Sequence, residues 1–296
     1  MDNNVICNSC PRRCSALRNE HRGRGFCGFG LNPVAARAAA HMWEEPCISG
    51  ERGSGAVFFS GCVLRCVYCQ NREISRGGFG REITPERLRE IYFELIEQGV
   101  HNINLVNPTH FTEAILASLE GGLPVPVVYN SGGYELPETL RRYEGKVDVW
   151  LPDMKYALSP LAARCSGAPD YFRQADAAIR EMVRLAGPYE IGEDGLIRRG
   201  VIVRHLVLPG EPENTRGVIR WFAETFAPGE ALFSLMSQYT PCGELEDFPN
   251  LRRRLSREEY DAALDALEEF GITDGFYQEL SSAREEYIPP FDLTGI

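Results

Sequence analysis

The sequence predicts an α/β fold, with about six strand–helix units around one parallel sheet and a cysteine-rich segment in front of them. From Ala56 onward, short and nearly all-apolar runs alternate with longer stretches of helical period. That is the pattern of strands buried on both faces and covered by helices. The stretches after these runs are rich in Gly, Pro, Asn, Asp and Cys. Residues 1–50 differ: they hold Cys7, Cys10, Cys14 and Cys27, much Arg and Gly, and no clear period. The expected division is a metal-binding extension over 1–50 and the strand–helix unit over 51–296.

Taken in order, AVFFSG (56–61) is a strand ending at a cysteine. TPERLREIYFELIEQG (84–99) is a helix with Leu88, Ile91, Tyr92, Leu95 and Ile96 on one face. Thr84 suits its cap, Pro85 its first position and Gly99 its end. INLVN (103–107) is a strand, FTEAILASLEGG (111–122) a helix and VPVVYN (125–130) a strand. ELPETLRRYEG (135–145) is a helix and VDVWLPD (147–153) a strand, followed by a long helical region over 159–186. VIVRHLVLPG (201–210) is a strand, NTRGVIRWFAETF (214–226) a helix and ALFSLMSQ (231–238) a strand. The last helix starts at Ser256, which can form a capping box with Glu259. Such units wind into an open doubly wound sheet or an incomplete (β/α) barrel. In both, the strand ends SGCVLRC, NPTHF, NSGGYE, PDMKY, LPGEPENT and SQYTPC converge on one mouth.

The composition is globular, with 44% hydrophobic and 25% charged residues. A net charge of −11 argues against a nucleic-acid or anionic-membrane surface. No apolar run approaches the roughly 20 residues that span a bilayer. MDNNVICNSCPRRC, at the N-terminus, lacks an apolar signal core. A cytoplasmic location is expected, where disulfides are rare and clustered cysteines bind metal or react.

SGCVLRCVYCQN (60–71) spaces Cys62, Cys66 and Cys69 as CxxxCxxC. Such positions also align on a helix face, where cysteines act as small hydrophobes. Against that, the triplet follows a strand and Gly61 immediately precedes it. A disulfide would leave one thiol over. Thiolates select zinc or iron–sulfur clusters. Closed sites take four ligands, so three at a strand end leave one metal position open.

This spacing, with Tyr68 before the third cysteine and a strand before the first, resembles the radical S-adenosylmethionine (SAM) superfamily. SGCVLRCVYCQN, NPTHF, DMKY, RHLVLPG, MSQYTP, the tail YIPPFDLTG and the N-terminal CNSCPRRC resemble its pyruvate formate-lyase activating enzyme-like subgroup. The resemblance implies a partial (β/α)6 TIM-like barrel and a [4Fe–4S] cluster held by Cys62, Cys66 and Cys69. It implies SAM on the open iron, an electron from the reduced cluster that breaks the C5′–S bond, and hydrogen abstraction by a 5′-deoxyadenosyl radical. The cofactor supplies that hard step. Also implied are an oxidoreductase acting on a glycyl radical enzyme or other protein or peptide substrate, and an electron donor such as flavodoxin or ferredoxin.

The same resemblance implies SAM contacts at the strand ends. Tyr68 is expected near the adenine. Asn107 and Thr109 stand where many members carry a Gly-Gly-Glu stretch for the SAM ammonium. Asn130 and Ser131 fall at polar contact positions, and Asp153 and Lys155 match an Asp-x-Lys pattern. The lysine can meet the SAM carboxylate as a point charge. Arg204 resembles an arginine that reaches SAM, and Gln238 replaces a histidine near the ribose. Local bonding at a strand end is the competing account of each. His110 and Cys242 receive no role.

Cys7, Cys10, Cys14 and Cys27 form C-x2-C-x3-C-x12-C, a closed four-thiolate set for structural zinc or a second iron–sulfur cluster. Gly23, Gly25 and Gly28 allow the turns that return Cys27. Cys47, Cys165 and Cys242 are expected to be unligated. The competing function is a zinc- or cluster-stabilised binding or electron-transfer protein without catalysis. The missing fourth ligand at the triplet argues against the binding module.

Overall fold

The computed structural model describes residues 4–280 and 289–296, so Tyr287 and Ile288 of the tail motif lie outside the described residues. The chain begins with β1 (Val5–Cys7), β2 (Ala16–Arg18), β3 (Val34–His41), α1 (Pro46–Ser49), β4 (Ser54–Phe59), α2 (Arg72–Ser75) and β5 (Arg81–Glu82). It continues with α3 (Pro85–Glu97), β6 (Ile103–Val106), α4 (Thr112–Ser118), β7 (Val127–Ser131), α5 (Pro137–Leu140) and β8 (Val149–Pro152). Next come α6 (Ser159–Ser166), α7 (Tyr171–Ala186), β9 (Glu190–Ile191) and β10 (Ile197–Leu206). The chain then forms α8 (Pro212–Thr225), β11 (Leu232–Met236), α9 (Arg257–Glu269) and β12 (Gly275–Tyr277).

The main sheet runs β12-β11-β10-β8-β7-β6-β4-β3-β5. From β4 to β12 neighbouring strands are parallel, while β3 and β5 continue the other edge antiparallel. The order has two ends, so the barrel is partial, as expected. The six expected strands are β4, β6, β7, β8, β10 and β11. Helices cover the sheet, and β7 and β8 are buried along their whole length. Under α5 the rings of Tyr129, Tyr143 and Trp150 pack with centroids 5.1 and 5.2 Å apart.

Local signals act where the sequence places them. The Thr84 side chain accepts from the Arg87 N–H at the start of α3, and Leu88, Ile91, Tyr92 and Leu95 of that helix are buried. The Ser256–Glu259 capping box opens α9. Three elements differ from expectation. The segment 1–50 is not all extension, because β3 pairs with β4 along its length. The helical region 159–186 is two helices, broken at Gly167, whose φ of +55° ends α6 in the left-handed region. The helix expected over 135–145 is only α5 and a 3-10 turn at Arg141–Tyr143. Among the described residues, no helix is long and apolar enough to cross a membrane.

Candidate functional site

Beyond β4 the chain forms an irregular loop over 61–71 rather than a helix, so the three thiols are not a helix stripe. Gly61 opens the loop with φ +89°, and a Cβ there would meet the Phe29 ring at 2.5 Å and His110 Nε2 at 2.8 Å. Glycine alone fits that approach. The loop walls a cleft of about 260 Å³. Of the expected site residues, Cys62, Cys66, Tyr68, Cys69, Asn107, Asn130, Ser131, Asp153, Lys155, Arg204 and Gln238 line it. They come from the C-terminal ends of β4, β6, β7, β8, β10 and β11, or from just beyond them. Thr109 corrects an expectation: it does not line the cleft. It is fully buried, and its hydroxyl donates to Glu135 Oε1 at 2.7 Å.

Each thiol of the triplet receives a hydrogen bond. The Leu64 N–H donates to Cys62 Sγ at 3.3 Å, the Ser166 hydroxyl to Cys66 Sγ at 3.0 Å, and the Ser75 hydroxyl to Cys69 Sγ at 3.3 Å. Burial, with Cys66 and Cys69 alongside, pushes the Cys62 thiol up to about 12. Burial and Cys66 also push Cys69 up. Ionising such thiols calls for a cationic centre, and the three donors suit sulfurs that carry charge. Among the described residues, no three His, Cys, Asp or Glu side chains surround a single-ion point. A cluster spreads its thiolates over separate irons, and three cysteines would leave one iron open.

Opposite the loop lies a charge network that sequence reasoning found only in part. The Arg204 guanidinium donates from Nε to Asp153 Oδ1 at 3.0 Å, from Nη1 to Glu44 Oε2 at 3.0 Å, and from Nη2 to Asn130 Oδ1 at 2.5 Å. Glu44 Oε1 accepts from Asn104 at 3.0 Å and Asn130 at 3.1 Å. Lys155 Nζ donates to Asp153 Oδ2. Burial alone would raise the Asp153 carboxyl, but Lys155 and Arg204 outweigh it and hold it below its ordinary value. Two anions and two cations therefore share one largely buried patch. Arg204 and Asn130 are committed to protein partners, whereas among the described residues the Gln238 amide donates only to Met236 Sδ, at 3.7 Å. Lys155 and Gln238 are thus the groups best able to meet a ligand.

Glu44 was missed because it follows β3, in a segment read as extension. The paired acids of HMWEEP were the available signal. His110 is fixed by the Ser60 carbonyl at 2.7 Å, and burial lowers its pKa to about 3, which keeps it neutral. The Tyr68 hydroxyl donates to Tyr156 at 2.7 Å, while Cys242 Sγ donates to the Tyr68 carbonyl at 3.2 Å from outside the cleft wall.

The N-terminal cysteines occupy one neighbourhood. A Cβ on Gly25 would lie 3.1 Å from Cys14 Sγ and 3.9 Å from Cys27 Sγ. Burial, with Glu135, Cys7 and Cys27 nearby, raises Cys10 to about 12. Between Cys10 and Cys14, Arg12 donates to the carbonyls of Val63 at 2.7 Å, Ser166 at 2.7 Å and Gly167 at 2.5 Å. Arg65 returns a bond to the Cys27 carbonyl at 3.2 Å. The cysteine-rich segment is thereby bolted to the loop that carries the triplet. Arg12→Ala is expected to lower unfolding stability by about 1.5–3 kcal/mol, the worth of one hydrogen bond to a charged group. Arg12→Lys should recover only part of that, because a point ammonium cannot span three acceptors. An unchanged urea midpoint in Arg12→Ala would show that the clamp contributes nothing.

Residues 56–222 match the family model of the Radical SAM superfamily. Two uncharacterized proteins of Methanocaldococcus jannaschii are similar in sequence. One is 28% identical over 277 residues, covering 90% of this chain and 75% of its own. The other is 24% identical over 201 residues, covering 55% of this chain and 56% of its own. Among solved structures, Streptococcus suis SuiB bound to S-adenosylmethionine shares the fold at a TM-score of 0.50 and 13% identity. That match covers 76% of this chain and 50% of SuiB. A domain of pyruvate-formate lyase-activating enzyme from Bacteroides vulgatus overlaps at a TM-score of 0.34 and 13% identity, over 66% of this chain and 91% of its own. That overlap is too loose to bear on subgroup.

Proposed function

Because the chain belongs to the radical SAM superfamily, we propose that it binds SAM in the strand-end cleft and cleaves it reductively to start hydrogen-atom abstraction. The observation that carries this reading is the cleft itself. Three thiols, that of Cys66 buried and those of Cys62 and Cys69 half-buried, each with a hydrogen-bond donor, face it together with Lys155 and the Gln238 amide. Cys62, Cys66 and Cys69 would hold the [4Fe–4S] cluster that the superfamily implies. When bound, that cluster supplies the electron for breaking the sulfonium bond. Lys155 orients the SAM carboxylate, Gln238 and Ser131 offer polar contacts, and Tyr68 packs near the adenine. Asn107, Asn130, Asp153 and Arg204 hold that wall in register. Phe58, Phe59, Leu64 and Ile74 line the same cleft and keep water from the reacting atoms.

The finer reading is a cytoplasmic oxidoreductase that generates a glycyl radical on a partner protein, with a flavodoxin or ferredoxin as electron donor. The subgroup motifs support it, and the net charge of −11 weighs against a nucleic-acid or membrane partner. Residues 1–50 supply a second site, for zinc or an iron–sulfur cluster, at Cys7, Cys10, Cys14 and Cys27, next to the barrel unit of 51–296. The test is an anaerobic SAM cleavage assay with dithionite, following deuterium from candidate partners into 5′-deoxyadenosine. Zinc alone at both cysteine groups, with no cleavage, would turn the reading to a binding module.

Lys155→Ala is expected to weaken SAM binding by about 1.5–3 kcal/mol, roughly tenfold or more, because a hydrogen bond to a charged group is lost. The iron content should stay unchanged, since the lysine meets a carboxylate and no metal. Equal SAM affinity in the variant would remove Lys155 from the site.

A further inference from the structure

Beside the SAM cleft lies a second chamber of about 410 Å³, lined in part by Glu45. We propose that this chamber receives the cationic end of the substrate, an alkylammonium or guanidinium group, with Glu45 as its partner. The proposal deepens the radical SAM reading and rests on it. Trp43, Glu44, Arg204, Met236 and Gln238 line both spaces, so a molecule seated in the second abuts the first.

Glu45 is only 8% exposed, and among the described residues its buried Oε2 has no hydrogen-bond partner. A buried acceptor left unpaired is costly, so a donor carried by a ligand would stabilise it. The nearest cation is Arg204, and its three bonds go to Asp153, Glu44 and Asn130. Burial raises the Glu45 pKa; Arg204 opposes the rise, Glu44 adds to it, and hydrogen bonds from its own backbone and from Ser234 oppose it.

The walls select the same class of ligand. Met42, Trp43, Phe276 and Tyr277 offer a thioether and aromatic faces, which suit an aliphatic stem ending in a cation. An anion would meet Glu44 and Glu45, and among the described residues the one lining cation, Arg204, already bonds Asp153, Glu44 and Asn130. Trp43 is 51% exposed and Tyr277 67%, so the chamber reaches the surface and the rest of a longer substrate can lie outside.

The test titrates the reconstituted full chain with N-acetyl-lysine amide, N-acetyl-arginine amide and the uncharged N-acetyl-norleucine amide. The readout is tryptophan fluorescence, with Trp43 the exposed reporter and Trp150 and Trp221 buried. Saturable binding of a cationic amide is expected, at least tenfold weaker in Glu45→Gln, with no saturation by the norleucine amide. Tyr277→Ser, on the exposed wall, should weaken the same binding severalfold and covers the case in which Glu45→Gln does not fold. Equal affinity for norleucine amide, unchanged affinity in Glu45→Gln, or no saturable binding of either cation overturns the proposal. SAM affinity is measured separately in each protein. A wild type that binds the lysine amide but not SAM supports the cation site and overturns the SAM reading. One that binds SAM but neither cation does the reverse.

Discussion

Cys66→Ala is expected to abolish reductive SAM cleavage while leaving the barrel folded. Cys66 is one of three proposed cluster ligands, and the triplet has no spare cysteine in the cleft wall to replace it. The barrel core is built from strand and helix burial, with Trp150, Tyr129 and Phe59 almost fully buried. Losing one small buried sulfur should cost about 1 kcal/mol, the scale of a methylene-sized deletion. Cys62→Ala and Cys69→Ala should behave alike. Changes at Cys7, Cys10, Cys14 or Cys27 should act differently: stability of the extension falls, and some SAM cleavage without partner remains. That residue of activity should be reduced rather than normal, because Arg12 links this segment to the Val63 and Ser166 carbonyls. The measurement is 5′-deoxyadenosine per cluster in each reconstituted variant, with dithionite as reductant. Equal and complete loss in both groups, with folding retained, would refute the division of labour. Normal cleavage by Cys66→Ala would sink the SAM assignment itself.

The parallel strands and the larger helices were legible because burial imposes period on them, and the caps of α3 and α9 because they are local. Cys62, Cys66 and Cys69 were legible because ligation demands short spacing. β3 was not: VAARAAAH is alanine-rich, alanine favours helices, and neither strand alternation nor a β-branched run marks it. β12 is three residues long, too short for any period. Glu44 and Arg204 are 160 positions apart, and only the fold of the open sheet brings them together. Thr109 shows the opposite failure. It sits in a strand-end motif, yet the 3-10 turn at Thr109–Phe111 carries it into the core against Glu135. Position along a strand end is thus a good guide to the rim, but the turn that follows decides which side chain reaches the cleft.

Arg204→Met should cause the largest loss of stability among cleft variants, about 3–5 kcal/mol, the range for removing one partner of a buried ion pair. The Arg204 and Glu44 side chains are 12% and 9% exposed, so neither charge can turn to water. Without the guanidinium, Glu44 keeps only amide donors and Asp153 keeps only Lys155. The double variant Glu44→Leu with Arg204→Met should be more stable than Arg204→Met alone, because two buried charges then leave together. The pH dependence has a definite sign. The Asp153 pKa is depressed in the folded chain from its ordinary 3.8, so its contribution is full above that value and is lost as pH falls through the folded pKa. Arg204→Met shrinks the depression. The gap between wild type and variant should therefore be widest at neutral pH and narrow below about 4. Urea unfolding at pH 7 and at pH 3.5 reads both effects. Matching midpoints at pH 7 would show that the network adds no net stability, and a gap that grows toward acid would place the stabilising charge elsewhere. SAM affinity should fall in the same variant although Arg204 is committed to protein acceptors, because Asp153 would then draw Lys155 more tightly and hold it from the cleft. Arg204 acts here as a positioning residue, so Arg204→Lys, which can satisfy only part of the three-way contact, should restore stability further than it restores SAM binding.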